Sequence, residues 1–115
     1  MRSRKIIREL VQKLHSDSIE SRWNAAAELV SYPDSDAVVS AILESLPGMD
    51  WSVKHIALWI VGELRHEAAL PTLIAALEDD SLHVRLSAAR ALEKFDAEEA
   101  KIALEKWKGE ETSTN

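Results

Sequence analysis

The sequence predicts an all-α fold, a right-handed α-solenoid of about three and a half helix-turn-helix units with seven helices. Two observations carry the prediction. The first is internal repetition. Residues 53–64 read Val-Lys-His-Ile-Ala-Leu-Trp-Ile-Val-Gly-Glu-Leu, and residues 84–95 match them in chemical type at an offset of 31 (84 minus 53). Residues 22–32, Arg-Trp-Asn-Ala-Ala-Ala-Glu-Leu-Val-Ser-Tyr, fit again at an offset of 32 (54 minus 22). Copies at a near-constant period mark a repeat array, in which a helix pair buries its apolar face only by stacking on its neighbours. The second is composition. Alanine and leucine, both strong helix formers, abound, whereas 3 glycines and 3 prolines are too few for the turns of an all-β chain.

The helices follow in chain order. Ile6, Ile7, Leu10, Val11 and Leu14 recur at helical spacing and place the first helix at about Ser3 to His15. Ser16-Asp17-Ser18 breaks it, and Ser18 caps a second helix reaching about Tyr32. Pro33-Asp34-Ser35-Asp36 is a turn, with Asp36 or Ser35 capping a third helix that carries Val38, Val39, Ile42, Leu43 and Leu46. Pro47-Gly48 ends that helix, and Asp50 caps the fourth, which reaches about Arg65. The fifth starts near Glu67, with Pro71 in its first turn or so, where a missing N–H matters little. Ser81 caps the sixth, to about Phe95, and the last runs from about Ala97 to Lys108. Gly109 is expected to stop it, making residues 1–109 one domain and residues 110–115 a flexible tail.

The chain has 115 residues, a formal net charge of −6 and no cysteine. Disulfides and thiolate metal sites are therefore excluded. An acidic chain opposes nucleic acid through its overall field. Its one basic cluster, Arg2, Arg4, Lys5 and Arg8, reads as a solvated helix face. No apolar run is long enough to span a membrane, and the basic start is not followed by the apolar stretch of a signal peptide. Cytoplasmic is the expected location.

The pattern Val84-Arg85-x-x-Ala88-Ala89-x-Ala91-Leu92, after a turn rich in Asp and Ser and a Leu-rich helix, resembles the HEAT-like, armadillo-like repeats. Residues 81–95 carry it best, residues 50–64 carry it with Lys54 for Arg, and residues 18–32 are degenerate, with Ser21 in the Val position. The likeness spans about residues 4–108 and implies the stacked-helix architecture. Ala25, Ala26, Ala57, Ala88 and Ala89 are expected to let helices approach closely. Asn24 and Glu28 stand where the second unit has Ile56 and Ile60, and Lys101, Glu105 and Lys108 stand where the third has Leu70, Ile74 and Leu77. Polar residues at both ends are expected of caps on a complete short solenoid.

In the repeat frame Trp23, His55 and Leu86 are equivalent, one turn before Ala27, Trp59 and Arg90. The family resemblance puts these two places on the concave side, lined by the second helix of each pair. Aromatics and Arg are enriched at binding hot spots, so Trp23, His55, Trp59, Leu86 and Arg90 form a candidate partner-binding groove. The opposing reading has the indoles pack between helices and stiffen a small protein. Trp51, next to its cap, is expected to staple two helices, and Trp107 to join the core of the last one.

Catalytic motifs are absent: there is no Gly-rich phosphate loop and no nucleophile–base signature. Asp79-Asp80 and Glu98-Glu99 belong to turns and helix starts, where they favour the positive dipole end. His66-Glu67 falls at a turn rather than on one helical face, which argues against the metal dyads of HEAT-like di-iron hydroxylases. The groove is too poor in positive charge for a HEAT-like DNA glycosylase. No metal, cofactor or catalytic residue is predicted. The expected function is a non-enzymatic scaffold or interaction module binding a partner's helix or extended segment, with acidic rims steering basic partners and a homodimer through the Trp-rich face as a variant. The resemblance to the short repeats of phycobilin lyase subunits and phycobilisome-degradation factors implies an alternative. In it, an accessory or paralogue of those proteins holds a tetrapyrrole, with Arg90 and His55 meeting its propionates.

Overall fold

A computed structural model describes the backbone of residues 2–113 and the side chains of residues 3–111. It contains α1 (Arg2–Lys13), α2 (Ile19–Ser31), α3 (Ser35–Ser45), α4 (Trp51–Leu64), α5 (Leu70–Ala76), α6 (Leu82–Leu92) and α7 (Glu98–Ser113). Two short 3-10 turns, Leu46–Gly48 and Glu67–Ala69, precede α4 and α5. Helices α1 and α2, α3 and α4, and α5 and α6 pair off, while α2, α4 and α6 stack on one another in a row. Helix α7 packs against α5 and α6 as the first half of a fourth unit. The result is an all-α repeat fold. Its extents of 47 × 29 × 20 Å describe a stack rather than a sphere.

The ends of the helices show which local rules operate. Ser18 caps α2 by accepting the Ser21 N–H at 3.2 Å. Asp50 caps α4 by accepting the N–H groups of Ser52 at 3.0 Å and Val53 at 3.2 Å. Three expectations need correction. Asp34, rather than Ser35 or Asp36, caps α3, accepting from Ala37 N–H at 3.1 Å. Ser81 makes no side-chain cap bond. Its own N–H is instead held by Asp79 Oδ2 at 3.0 Å, so the turn before α6 is fixed by an aspartate two residues earlier. Gly109 does not stop α7, which continues to Ser113. Its φ is not positive, so it costs only the ordinary helix-interior penalty of about 1 kcal/mol. Arg85 Nε bonding Glu111 Oε1 at 3.3 Å ties the added turn to α6. Of the expected tail, residues 110–113 are thus helical, and residues 114 and 115 lie outside the described residues, as does the side chain of Arg2 in the basic cluster. Arg4, Lys5 and Arg8 are exposed.

Helix α4 ends at Arg65, which takes the left-handed conformation (φ 51°, ψ 37°) that terminates a helix and that glycine adopts with less strain. Pro71 sits in the first turn of α5, where no N–H is needed.

The core is continuous from Ile7 on α1 to Leu104 on α7. Ala25, Ala26, Ala57, Ala88 and Ala89 are all buried. So are Ile56 and Ile60, whereas Asn24, Glu28, Lys101, Glu105 and Lys108 are exposed. A close helix approach also falls at a glycine. A Cβ built on Gly62 of α4 would lie 2.8 Å from the Ala91 Cβ and 3.0 Å from its Cα on α6. Nothing in the local repeat pattern marks Gly62 as that point.

Polar bonds also repeat from unit to unit. Arg22, Lys54 and Arg85 hold the same repeat place. Arg22 Nη1 donates to Ser52 Oγ at 3.3 Å, itself bonded to Asp50 Oδ1 at 2.6 Å. Lys54 Nζ reaches Asp79 Oδ1 at 3.1 Å. Arg85 Nη1 donates to the carbonyls of Asp79 at 2.9 Å and Asp80 at 3.1 Å. Lys94 pairs with Glu63 at 2.7 Å.

Candidate protein-docking face

Because side chains at i, i+4 and i+8 share one side of a helix, Ile19, Trp23 and Ala27 line α2. The same places are Trp51, His55 and Trp59 on α4 and Leu82, Leu86 and Arg90 on α6. Three stacked helices therefore present a three-by-three lattice. Its first row is strongly exposed: Ile19 72 %, Trp51 51 %, Leu82 52 %. In the second row Trp23 and Leu86 are exposed and His55 is half-buried. In the third, Ala27 and Arg90 are exposed and Trp59 is half-buried against the core.

The five residues singled out from sequence are not equally close. Trp23, His55 and Trp59 come together. The Trp23 ring meets Trp59 edge-on at 5.3 Å between centroids and His55 edge-on at 6.1 Å. This geometry sets the positive edge of one ring against the negative face of another and contributes roughly 0.5–1.5 kcal/mol per pair beyond burial. Leu86 and Arg90 stand one helix further on, and Arg90 makes no ion pair among the described residues. The indoles thus divide the two readings between them: Trp59 helps clamp α2 to α4, while Trp23 still turns a surface outward.

The first row escaped the sequence reading, apart from the expectation that Trp51 staples two helices. It does so by stacking on His83 of α6, with centroids 4.7 Å apart and planes 21° apart. The missed signal was the residue directly after each cap place, Ser18, Asp50 and Ser81: each time it is apolar, and each time it is exposed.

The charges around the lattice are fixed by local bonds. The Ser52 hydroxyl, followed by the Val53 N–H, holds the Asp50 carboxyl below its usual range. The Ser81 N–H does the same for Asp79, with Lys54 adding to it. Burial pushes the His55 imidazole below 6.5, and the charges of His83 and Arg22 push it the same way. His55 is therefore a neutral part of the aromatic group near neutral pH.

Other features lie away from the lattice. A cavity of about 870 Å³ opens between α1 and α3, with Arg4 and Arg8 on one wall and Asp34, Asp36 and Glu44 on the other. It is an open furrow between two stacked helices, lined by charges of both signs. Both ring nitrogens of His66 are engaged: Nε2 pairs with Asp36 at 2.7 Å, and Nδ1 accepts the Ala68 N–H at 3.3 Å. Among the described residues no three His, Asp or Glu side chains converge on a metal position. His15 and His83 are exposed. Trp107 packs half-buried against the core, its Nε1 without a hydrogen-bond partner.

The helix pairs recur with a period of about 31 residues and stack on one another, as in a repeat array. A family model for HEAT repeats matches residues 39–113, or 75 of the 115 residues. The chain belongs to the HEAT repeat family. The match takes in α4 and α6, the two copies in which the repeat pattern is clearest, and begins within α3. No curated protein sequence matches the chain. HEAT repeats are in general protein-interaction scaffolds, typically without catalytic activity of their own. No helix among the described residues of this HEAT protein is long and apolar enough to cross a membrane.

Proposed function

We propose that the α2–α4–α6 face of this HEAT protein docks another protein segment, a helix or an extended strand, and performs no chemistry of its own. One observation carries the reading. Of the seven large apolar side chains exposed among the described residues, five (Ile19, Trp23, Trp51, Leu82 and Leu86) fall in two rows of one lattice. Apolar residues scattered singly on a surface need no explanation, whereas a contiguous set marks a site of association. The remaining two, Ile6 and Ile102, are on α1 and α7.

The mechanism is preorganisation. Trp23 and Trp51 are braced by ring contacts before anything binds, so little side-chain freedom is lost on docking. Arg90 at the edge offers an unpaired guanidinium to a carboxylate. A tetrapyrrole fits less well. His55 is held neutral by burial, which removes one of the two cations expected to meet the propionates.

The reading is tested by panning displayed helical and extended peptides against the folded protein. Bound peptides are then measured against Trp23→Ala, Leu86→Glu and the off-face control Ile102→Ala. The two face variants are expected to weaken binding at least tenfold, about 1.4 kcal/mol, as for a hot-spot residue, and the control to leave it unchanged. Peptides that bind all three variants as tightly as the parent would sink the proposal.

A further inference from the structure

We infer that the occupant of the α2–α4–α6 face is a second copy of this chain, related by a twofold axis running parallel to α4. The inference rests on the docking reading and names the partner. A face that pairs with itself must be self-complementary under a twofold operation. With the axis along α4, each place on α2 meets the equivalent place on α6 of the second copy. The lattice then closes row by row. Ile19 meets Leu82, Trp23 meets Leu86, and the small exposed Ala27 meets the long Arg90. On the middle helix Trp51, His55 and Trp59 meet their own counterparts.

Charge points to the same arrangement. Both charged side chains that α2 exposes are acidic, Glu20 and Glu28, and neither is ion-paired among the described residues. On α6 the lattice carries Arg90, exposed and equally unpaired, with His83 stacked beside the first row. Arg85 is already engaged by Glu111 and two turn carbonyls, and the exposed Glu93 stands just past the end of α6, off the lattice. The operation brings Arg90 of one copy beside Ala27-Glu28 of the other, twice per dimer. A heterologous partner needs no such match between the two outer helices of one face. The alternative axis, perpendicular to α4 in the plane of the face, would set α2 on α2 and Glu28 near Glu20 of the second copy, which like charges disfavour.

Three helices wide and about two turns deep, the face is at the small end of specific interfaces, so association in the micromolar range is expected. Sedimentation equilibrium over about 5–500 µM reads it directly, the mass rising from 12.8 kDa towards twice that value. Arg90→Glu and Glu28→Arg should each weaken the dimer at least tenfold, and the two together should restore it to within about threefold of the parent. Trp23→Ala should abolish it.

A monomer throughout the range overturns the inference, as does a dimer indifferent to Arg90→Glu, or a double charge swap that fails to rescue. Each variant's circular dichroism separates a lost interface from a lost fold. If the chain stays monomeric while displayed peptides still bind in a Trp23-dependent manner, the dimer falls and the docking reading stands. If Trp23-dependent binding is lost as well, both fall.

Discussion

Gly62→Ala and Gly109→Ala are the same chemical change in two helices, and they should move stability in opposite directions. At position 109 nothing lies within 4 Å of the added methyl, so the variant keeps only the gain in helix propensity, about 1 kcal/mol. At position 62 the same gain is opposed by a collision. The new Cβ would stand 2.8 Å from the Ala91 Cβ, about 1 Å short of an ordinary carbon–carbon contact of about 3.8 Å. The Ala91 Cα at 3.0 Å is main chain and has no rotamer into which to retreat. Helices α4 and α6 must separate, and both flanks of that seam, Val61 with Ala57 and Ala88 with Leu92, are fully packed. Overpacking of this kind costs about 1–3 kcal/mol, and an unyielding backbone places it in the upper half of that range. Subtracting the propensity gain leaves Gly62→Ala destabilised by about 1–2 kcal/mol. Urea unfolding followed by circular dichroism would measure both variants with unchanged m-values. Stabilisation of Gly62→Ala by as much as Gly109→Ala would refute the close approach of α4 and α6 as the reason for this glycine.

Ala57→Glu or Ala88→Glu places a carboxylate in a fully buried seam and should remove the cooperative unfolding transition, as seen by thermal circular dichroism. Arg65→Gly relieves a left-handed non-glycine residue and should raise stability by about 0.5–1 kcal/mol in urea titrations. The Asp50 pKa is depressed by folding. Its contribution is fully present above the unfolded value of 3.8 and lost as pH falls through the lower folded one. The advantage of the parent over Asp50→Asn in urea midpoint should therefore shrink below about pH 4. The His55 pKa is depressed by burial, and for an imidazole the sign is that of proton uptake on unfolding. Stability should fall as pH drops from 6.5 towards the folded value, His55→Gln should flatten that segment, and the NMR titration of the ring should show a midpoint below 6.5.

The repeat, the helix count and the stacking residues were legible because they depend on periodicity, which survives in one dimension. Val53, Ala57 and Val61 recur with the turn of the helix, and each is buried. Caps were legible only in part. Ser18 and Asp50 act as their position suggests, but Ser81 yields to Asp79, because a turn with two aspartates offers several acceptors and the chain's path selects among them. Gly109 misled because glycine marks a helix end only where it turns left-handed, while the residue that does so is Arg65. Gly62 was hidden for the opposite reason: what constrains it is Ala91, 29 residues away (91 minus 62), and no local pattern records that contact. On the docking face the indole group of Trp23, His55 and Trp59 followed from repeat equivalence. The row of Ile19, Trp51 and Leu82 obeys the same equivalence, but a single apolar residue beside a cap reads as a staple until its exposure is known.

The reach of the polar bonds sets how the molecule yields to load. The side-chain bonds between units span 30 residues from Arg22 to Ser52 and 25 from Lys54 to Asp79. They span 30 from Asp36 to His66, 31 from Glu63 to Lys94 and 26 from Arg85 to Glu111. Each is no longer than about one period, so each of these bonds ties a unit only to its neighbour. Pulled by its two ends, a stack held in this way is loaded one junction at a time. It should peel in successive steps of one helix pair, the Gly62–Ala91 seam parting last, and re-form in reverse order when the load is released.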